Sequence, residues 1–244
     1  MNVNATRPLL AGALLLAVPA VHASDWSHEL APYAWAIALE GESGVGNLTV
    51  DVDKSFSDIL DDLDMAFLVA YRARRDRLSI MADFVYMDLG LDAAGPRGNL
   101  RGHADVSQKA AEVDVGWNVD ERLVVFAGAR FVDVDADLEV RTPQQTFVAD
   151  GGESWVDPVV GVLYELPLSE KWTGRLRVDA GGFGVGSEFS WQGIASLLWQ
   201  VSPSIGVVGA YRHMDIDYDD GDGRDRFVYD MLISGPLLGV VFSF

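Results

Sequence analysis

The stretch Ala110-Ala111-Glu112-Val113-Asp114-Val115-Gly116-Trp117 decides how this chain is read. Ala111, Val113, Val115 and Trp117 fall on one face of an extended strand, and Ala110, Glu112, Asp114 and Gly116 on the other. A strand sends alternate side chains to opposite faces, and a helix would spread these acids around its circumference. The same period of two runs from about residue 33 to the C-terminus. Tyr33, Trp35, Ile37 and Leu39 alternate with Ala34, Ala36, Ala38 and Glu40. Phe67, Val69, Tyr71 and Ala73 oppose Ala66, Ala70, Arg72 and Arg74. Ile80, Ala82, Phe84 and Tyr86 oppose Ser79, Met81 and Asp83. Trp172, Leu176 and Val178 oppose Arg175, Arg177 and Asp179. Trp191, Ala195, Leu197 and Trp199 oppose Gln192, Ser196 and Gln200. With 122–140, 154–166, 205–218 and the closing run 227–244, the pattern predicts ten antiparallel strands.

The connections sort into two kinds that alternate along the chain. Those at 74–77, 118–122, 167–171 and 201–204 are short. Those at 41–64, 92–104, 141–153 and 219–225 are longer and mostly acidic, with a tight one near 187–190. An even-stranded up-and-down barrel distributes its inner turns and outer loops in this way. Pro158 and Pro236 fall inside expected strands, where each removes a ladder donor. Eight strands with longer excursions is therefore the alternative count.

Composition bounds the rest. The 244 residues include no cysteine, which excludes a disulfide scaffold, thiol catalysis and a cysteine zinc site. With 18 Lys and Arg against 37 Asp and Glu, the net charge of −19 argues against a nucleic-acid partner. Residues 1–23 read as a cleaved secretory signal: Arg7 supplies the charge, 9–18 the apolar run, and Val21-His22-Ala23 the small residues before the cut. That run is too short for a membrane-crossing helix of about 20 residues.

Period two alone does not say which face points inward. A soluble periplasmic barrel that binds a ligand would bury the apolar face, and a membrane barrel would expose it. Three features favour the membrane. First, aromatic residues cluster at two heights on the apolar face. Tyr33, Tyr71, Trp117, Tyr164, Trp172, Trp199 and Phe244 fall at the lower end, and Tyr86, Phe131, Trp191 and Tyr211 near the upper end. Two belts of amphipathic rings mark the two membrane interfaces. Second, the polar face carries Arg72, Arg74, Asp83, Glu112, Asp114, Arg130, Asp157, Glu165, Arg175, Arg177, Asp179, Arg212 and Asp230. Arg with acids and without Lys suits a lumen knitted by planar ion pairs. Third, 41–64, 133–153 and 215–225 hold most of the acidic excess, so negative charge crowds to the outer rim.

The terminal Leu238-Gly239-Val240-Val241-Phe242-Ser243-Phe244 resembles the signal that the barrel-assembly machinery reads. Ser55-Phe-Ser-Asp-Ile-Leu-Asp-Asp-Leu-Asp64, 72–77 and Phe84-Val-Tyr-Met-Asp-Leu-Gly90 resemble a group of uncharacterised outer-membrane β-barrel proteins of Gram-negative bacteria. Gly128-Ala-Arg-Phe-Val-Asp-Val-Asp135 and Ala210-Tyr-Arg-His-Met-Asp-Ile-Asp-Tyr218 resemble strand ends of small outer-membrane barrels. The resemblance covers most of the mature chain. It implies an outer-membrane location, contact with outer-membrane lipid and lipopolysaccharide, and recognition of Phe244 by the assembly machinery. It implies no catalytic motif and no cofactor.

Arg130-x-x-Asp133-x-Asp135-x-Asp137 recurs as Arg212-x-x-Asp215-x-Asp217-x-Asp219. On a strand such carboxylates line up about 7 Å apart instead of converging on a cation, so a solvated acidic rim is expected. Asp217-Tyr-Asp-Asp-Gly-Asp-Gly223 fails the EF-hand spacing, with Asp220 where glycine is needed and Arg226 where glutamate is needed. Phe56, Ile59, Leu60 and Leu63 have helical spacing behind a Ser57 or Asp58 cap, as a loop lid or a plug in the barrel mouth. His213 with Asp215 would be the centre of a rim hydrolase, but neither G-x-S-x-G nor H-E-x-x-H occurs. At ten strands, side chains fill most of the interior. The expected function is therefore a structural or surface-interacting barrel with a charge-filled lumen; the alternative is a narrow, cation-preferring channel.

Overall fold

The computed structural model describes residues 26–46, 48–94, 101–141, 146–223 and 226–244. The expected signal segment lies outside them. Among the described residues the chain forms β1 (Ser27–Trp35), β2 (Ala38–Val45), β3 (Leu48–Lys54), α1 (Phe56–Asp62), β4 (Leu63–Arg75), β5 (Leu78–Ala94) and β6 (Arg101–Asn118). It continues with β7 (Leu123–Arg141), β8 (Thr146–Pro167), β9 (Trp172–Gly181), β10 (Phe189–Ser202), β11 (Ile205–Asp220) and β12 (Phe227–Ser243).

Ten of these strands make the barrel. β4 to β12 pair antiparallel in sequence order, and β1 joins β4 on one side to β12 on the other. The remaining two, β2 and β3, form a hairpin that continues upward along β12 where β1 stops. The proline positions explain themselves in this ladder. Pro158 stands where β9 leaves β8, one residue past the Val159–Gly181 pair. Pro236 stands where β12 changes partner, from Trp35 of β1 opposite Leu237 to Ala38 of β2 opposite Ser234. Beside it the backbones approach so closely that a Cβ on Gly235 would lie 1.9 Å from the Ala36 carbonyl oxygen. Both prolines thus occupy breaks where a ladder donor is not needed, and the count is ten.

The lower end holds the chain terminus and the short turns. His28 and Phe244 exchange backbone hydrogen bonds of 2.9 and 3.1 Å, tying the last residue to the first strand. Most of the aromatic residues expected on the lipid face do lie outside. Trp117, Tyr164, Trp172, Trp199 and Phe244 are exposed low on the wall, and Trp172 stacks on Trp199 at 5.9 Å. Tyr71 lies at the same level, its hydroxyl 2.8 Å from His28 Nδ1. Tyr86, Phe131, Trp191 and Tyr211 form the upper belt, and exposed Val113, Val115, Val160, Val162, Leu176 and Val178 fill the band between. An apolar outer band between two aromatic belts suits a hydrocarbon solvent.

Several strands continue well above the upper belt. The β5–β6 ladder runs to Ala94–Arg101 and the β7–β8 ladder to Arg141–Thr146. Of the stretches 92–104 and 141–153, expected as loops, the described residues 92–94, 101–104, 141 and 146–153 are strand, propagated by register from the wall below despite their weak alternation. A strand needs only about 9–11 residues to cross a bilayer, and β8 has 22. The loop expected near 187–190 lies earlier, after Gly181, and its Ser187 is fully buried against Asp157. Asp215, Asp217, Asp219, Asp220 and Asp222 sit on the upper end of β11 and just beyond it, where Asp219 takes Arg226.

Helix α1 stands where the first outer excursion returns to the wall. Ser55 caps it reciprocally: its hydroxyl accepts from the Asp58 amide at 3.4 Å, and Asp58 Oδ2 accepts from the Ser55 amide at 3.0 Å. Ile59 is buried, whereas Phe56 and Leu60 are exposed. The helix is thus inserted beside the wall instead of folded over its own side chains as a lid.

Replacing Val113 with Arg in the middle of the outer band is expected to lower stability by about 2–4 kcal/mol, whereas Asp137→Arg above the belt leaves it nearly unchanged. Urea unfolding in phospholipid vesicles measures both. The Ser55 hydroxyl and amide hold the Asp58 carboxyl below its ordinary range. The capping box is therefore complete above the normal carboxylate pKa and is lost as pH falls through the lowered value. Hydrogen exchange at the first turn of α1 should accelerate only on acidification.

Candidate functional site: the barrel interior

The interior has two layers. In the lower half, side chains from eight strands meet in an ion-pair lattice. Arg130 of β7 is almost fully buried and donates from Nε to Glu112 and from Nη2 to Asp179, both at 2.6 Å. Arg177 of β9 donates to Glu112, to Asp114 at 3.0 Å and to Asp179 at 2.8 Å. Gln192 adds a 2.8 Å bond to Asp179. Below this, Glu165 of β8 accepts from Arg72 at 2.6 Å and Arg74 at 3.4 Å, and lies 2.9 Å from Arg175 Nε. Arg175 also makes a two-pronged bridge to Glu29 at 2.7 and 2.8 Å. Across the barrel, Arg212 donates to Asp83 at 2.9 Å, and Asp83 accepts from the Tyr33 hydroxyl at 2.9 Å.

Strand alternation explains this convergence. Each charged residue shares parity with the others on its strand: Arg72 and Arg74 on β4, Glu112 and Asp114 on β6, Arg175, Arg177 and Asp179 on β9. Closing the barrel turns all these faces toward one axis. The guanidinium planes are also packed. Arg177 lies 4.5 Å from the Phe126 ring centre and Arg212 lies 4.8 Å from that of Trp35, an arrangement worth more in a dry interior than in water.

Two of the expected positions are overturned. Asp230 does not reach the lumen: it faces outward opposite Asp217, and its neighbours Tyr229 and Met231 point in. Burial and the Asp230 charge together hold the Asp217 carboxyl above its ordinary range. Tyr33 is not a lipid-facing ring: it points inward, over Gly239, and donates to Asp83. The reason is that β1 alternates by size and not polarity. With Ala34 on one face and Tyr33 on the other, either face could have met lipid. The ion pairing with Glu29, and the Gly239 that makes room for the ring, decide it. Asp157 is inside but pairs with no Arg; it accepts from the Ser187 amide and hydroxyl, both at 2.7 Å, and from Ser190. Glu29, Tyr33, Ser187, Ser190 and Gln192 belong to the lattice and were not singled out from sequence; only the parity of Gln192 with its strand pointed to it.

The upper layer is apolar. Ile37, Leu68, Val85, Met87, Val132, Val134, Met214, Ile216, Met231 and Ile233 form one buried cluster with a knot of rings at its top. There Trp155 stacks on Tyr218 at 4.1 Å and meets Tyr229 at 5.8 Å, joining β8 to β11 and β12 across the lumen. A cavity of about 200 Å³ lies within the lower half, lined by Glu29, Tyr33, Arg72, Asp83, Glu112 and Arg212 among others. A wider vestibule of about 730 Å³ opens at the lower end between Arg74, Glu121, Arg122 and Glu165.

The candidate rim chemistry does not assemble. His213 lies on the outer face with Tyr211, its ring 4.8 Å from that of Trp191, and Asp215 is taken by the Trp191 indole N–H at 3.3 Å. Asp133 and Asp135 also face outward, on the side of β7 opposite Arg130, and share the Lys109 ammonium at 2.7 and 3.4 Å. Among the described residues no three His, Asp or Glu side chains converge as a metal ion would need.

Arg130→Met leaves Glu112 and Asp179 with one fewer partner in a dry site, and breaking a buried pair costs about 3–5 kcal/mol. Arg74→Met, on a partly exposed bridge, is expected to cost under about 1 kcal/mol. The difference in urea midpoint of the refolded protein checks the ranking.

No protein-family model matches the chain, and no curated protein sequence matches it. Solved structures do. The outer membrane protease OmpT from Escherichia coli superposes with a TM-score of 0.50 at 9% identity, over 90% of this chain and 97% of that one. The translocator domain of the autotransporter NalP from Neisseria meningitidis gives 0.44 at 10% identity, over 91% and 90% of the two chains. Ail, the attachment invasion locus protein of Yersinia pestis, gives 0.37 at 10% identity over 90% and 98%. At these identities the likeness concerns the fold, and the location follows from the outer surface. An apolar band between two aromatic belts, on a closed up-and-down wall of ten strands, makes this chain an outer-membrane β-barrel protein.

Proposed function

We propose that this protein is an occluded barrel that acts through its outer surface and extracellular wall, with no conduction through its lumen. The observation that carries the reading is the double seal of the interior. The apolar plug from Ile37 to Ile233 closes the upper half, and the lattice centred on Arg130 and Arg177 crosses the lower half. A permeating ion would meet hydrocarbon side chains above and arginine–carboxylate pairs bridging the strands below. A narrow cation-preferring channel needs a continuous polar path, and the rings of Trp155, Tyr218 and Tyr229 interrupt it.

The tall, acid-studded wall supports a surface role. Strand β7 carries Asp133, Asp135 and Asp137 on its outward face above the belt, the side on which a lipopolysaccharide layer would lie. At the other end Phe244 is exposed beside His28 and free to be read by the assembly machinery. At the rim, His213 and Asp215 are turned away from the interior and engaged with Trp191.

The test is electrical. Refolded protein that is heat-modifiable on gels is added to a planar bilayer at two salt concentrations. The expected result is no discrete steps from the wild type. Reproducible cation-selective steps, altered by Asp83→Ala or Arg72→Ala, would replace this reading with the channel.

A further inference from the structure

We propose that the barrel wall contains a lateral binding site for one acyl chain of a membrane lipid, entering from the outer leaflet beneath helix α1. The inference starts from a gap in the ladder. β4 pairs with β1 only from Arg74 up to Val69, opposite Pro32. Above that point, residues 63–68 of β4 pair with β5 alone, and β3 pairs with β2 alone. Between the β2–β3 hairpin and the upper part of β4 the wall is therefore not hydrogen-bonded. This open edge begins at the upper belt, where Phe67 pairs with Tyr86; an unpaired strand edge calls for cover, and α1 is the element that stands there.

The helix does not fill the gap. A cavity of about 420 Å³ passes between it and the strands, within the range of about 300–1,000 Å³ typical of small-molecule sites. Its floor is inside the barrel: Trp35, Ile37, Leu68 and Met87, all part of the apolar plug or packed on it. Its lips are outside: Ala34, Pro236 and Leu238 on the wall, and Phe56 and Leu60 on the helix. Ala66 shows the opening most directly. It shares the inward parity of buried Leu68, yet it is exposed.

The lining selects the occupant. No charged residue contributes to it. The two polar atoms nearby are already engaged, the Tyr33 hydroxyl with Asp83 and the Trp35 indole N–H with the Gly235 carbonyl at 3.1 Å. What faces the cavity is hydrocarbon and ring. Height selects the source. Pro236 pairs with Tyr211 of the upper belt, so the mouth opens at the outer-leaflet interface. Its lips continue the lipid-facing surface, with Leu238 among the most exposed apolar residues of the chain at 64%. A ligand arriving from water would first cross the acidic exterior, whereas a lipid chain is already against the mouth. This site goes beyond the occluded-barrel reading and does not depend on it.

The experiment is photo-crosslinking from the chain itself. The full protein is reconstituted in phosphatidylcholine vesicles that contain the same lipid with a diazirine midway along one acyl chain. After irradiation, adducts are mapped by mass spectrometry. Adducts are expected on the inward residues Trp35, Leu68 or Met87 as well as on the outward Val113 and Val115. Ala66→Phe, which fills the cavity, and Ala34→Trp, which narrows the mouth from outside, should each lower the inward adducts about tenfold and leave the outward ones unchanged. Two results would overturn the proposal: adducts confined to outward residues, or inward adducts that persist in both variants. Heat-modifiable mobility shows which variant has folded, and Ala34→Trp, at an exposed position, stands in if Ala66→Phe does not. Conductance of the same vesicles, fused to a planar bilayer, separates the two ideas, since current steps bear on the plug and crosslinks on the wall.

Discussion

Each long strand of this barrel passes from hydrocarbon into water partway along its length, and that change of solvent reverses the meaning of its two faces. Below the upper belt the outside must be apolar, so polar side chains go in. Above it the outside is water, so the apolar side chains go in. Strand β7 carries both regimes on one unbroken alternation. Below the belt Arg130 points inward above Phe126 and Val124, which pack beneath the lattice, and two positions further on inward Val132 belongs to the plug. On the other face, outward Phe131 is followed by outward Asp133. Parity never slips; only the solvent outside changes.

The two interior layers follow from that reversal. Charges sent inward across the membrane must pair with one another, because leaving one alone in a dry space costs more than the pair returns. At its centre the lattice shares partners: Glu112 serves Arg130 and Arg177, and Asp179 serves the same two along with Gln192. The hydrophobic residues sent inward above the belt have no such requirement. They collapse, bringing β8 across to β11 and β12 through Trp155 and Tyr218. The lumen is closed at two heights for two different reasons.

Much of this was legible in the sequence, because the period of two survives the reversal. Alternation gave the architecture, and the ten strands survive the two prolines because each lies at a ladder break. Twelve of the thirteen polar-face residues singled out do point inward. The failures share one cause. Asp230 lies above the stretch in which polar means inward, a rule of the membrane-embedded part of the strand; at its height the inward residues are Tyr229 and Met231. Tyr33 failed because β1 offers two apolar faces, and the choice between them rests on Glu29 meeting Arg175 and on Gly239 leaving room for a ring. Neither partner is near β1 in sequence. The long hairpins beyond 92 and 141 were missed because their pairing is imposed by the wall beneath and hardly encoded in their own residues.

The β2–β3 hairpin shows why the wall should have a weak point at all. A ten-stranded ring closes through β1 pairing with both β12 and β4, but β1 ends at Trp35, far below the top of β12. Something must cover the upper flank of β12, and β2 does, with register partners from Ser234 up to Phe227. Having turned outward at Ala36 and Ile37 to do so, the chain has to come back down to start β4. It returns as β3 and then as a helix, whose backbone satisfies most of its own hydrogen bonds. A helix is the one element that can sit beside an unpaired strand edge without needing the partner that the edge lacks. The same property means it holds the gap by side-chain contacts, the packing of Ile59 and the 3.2 Å bridge from Lys54 of β3 to Asp62, and such contacts can part where a ladder cannot.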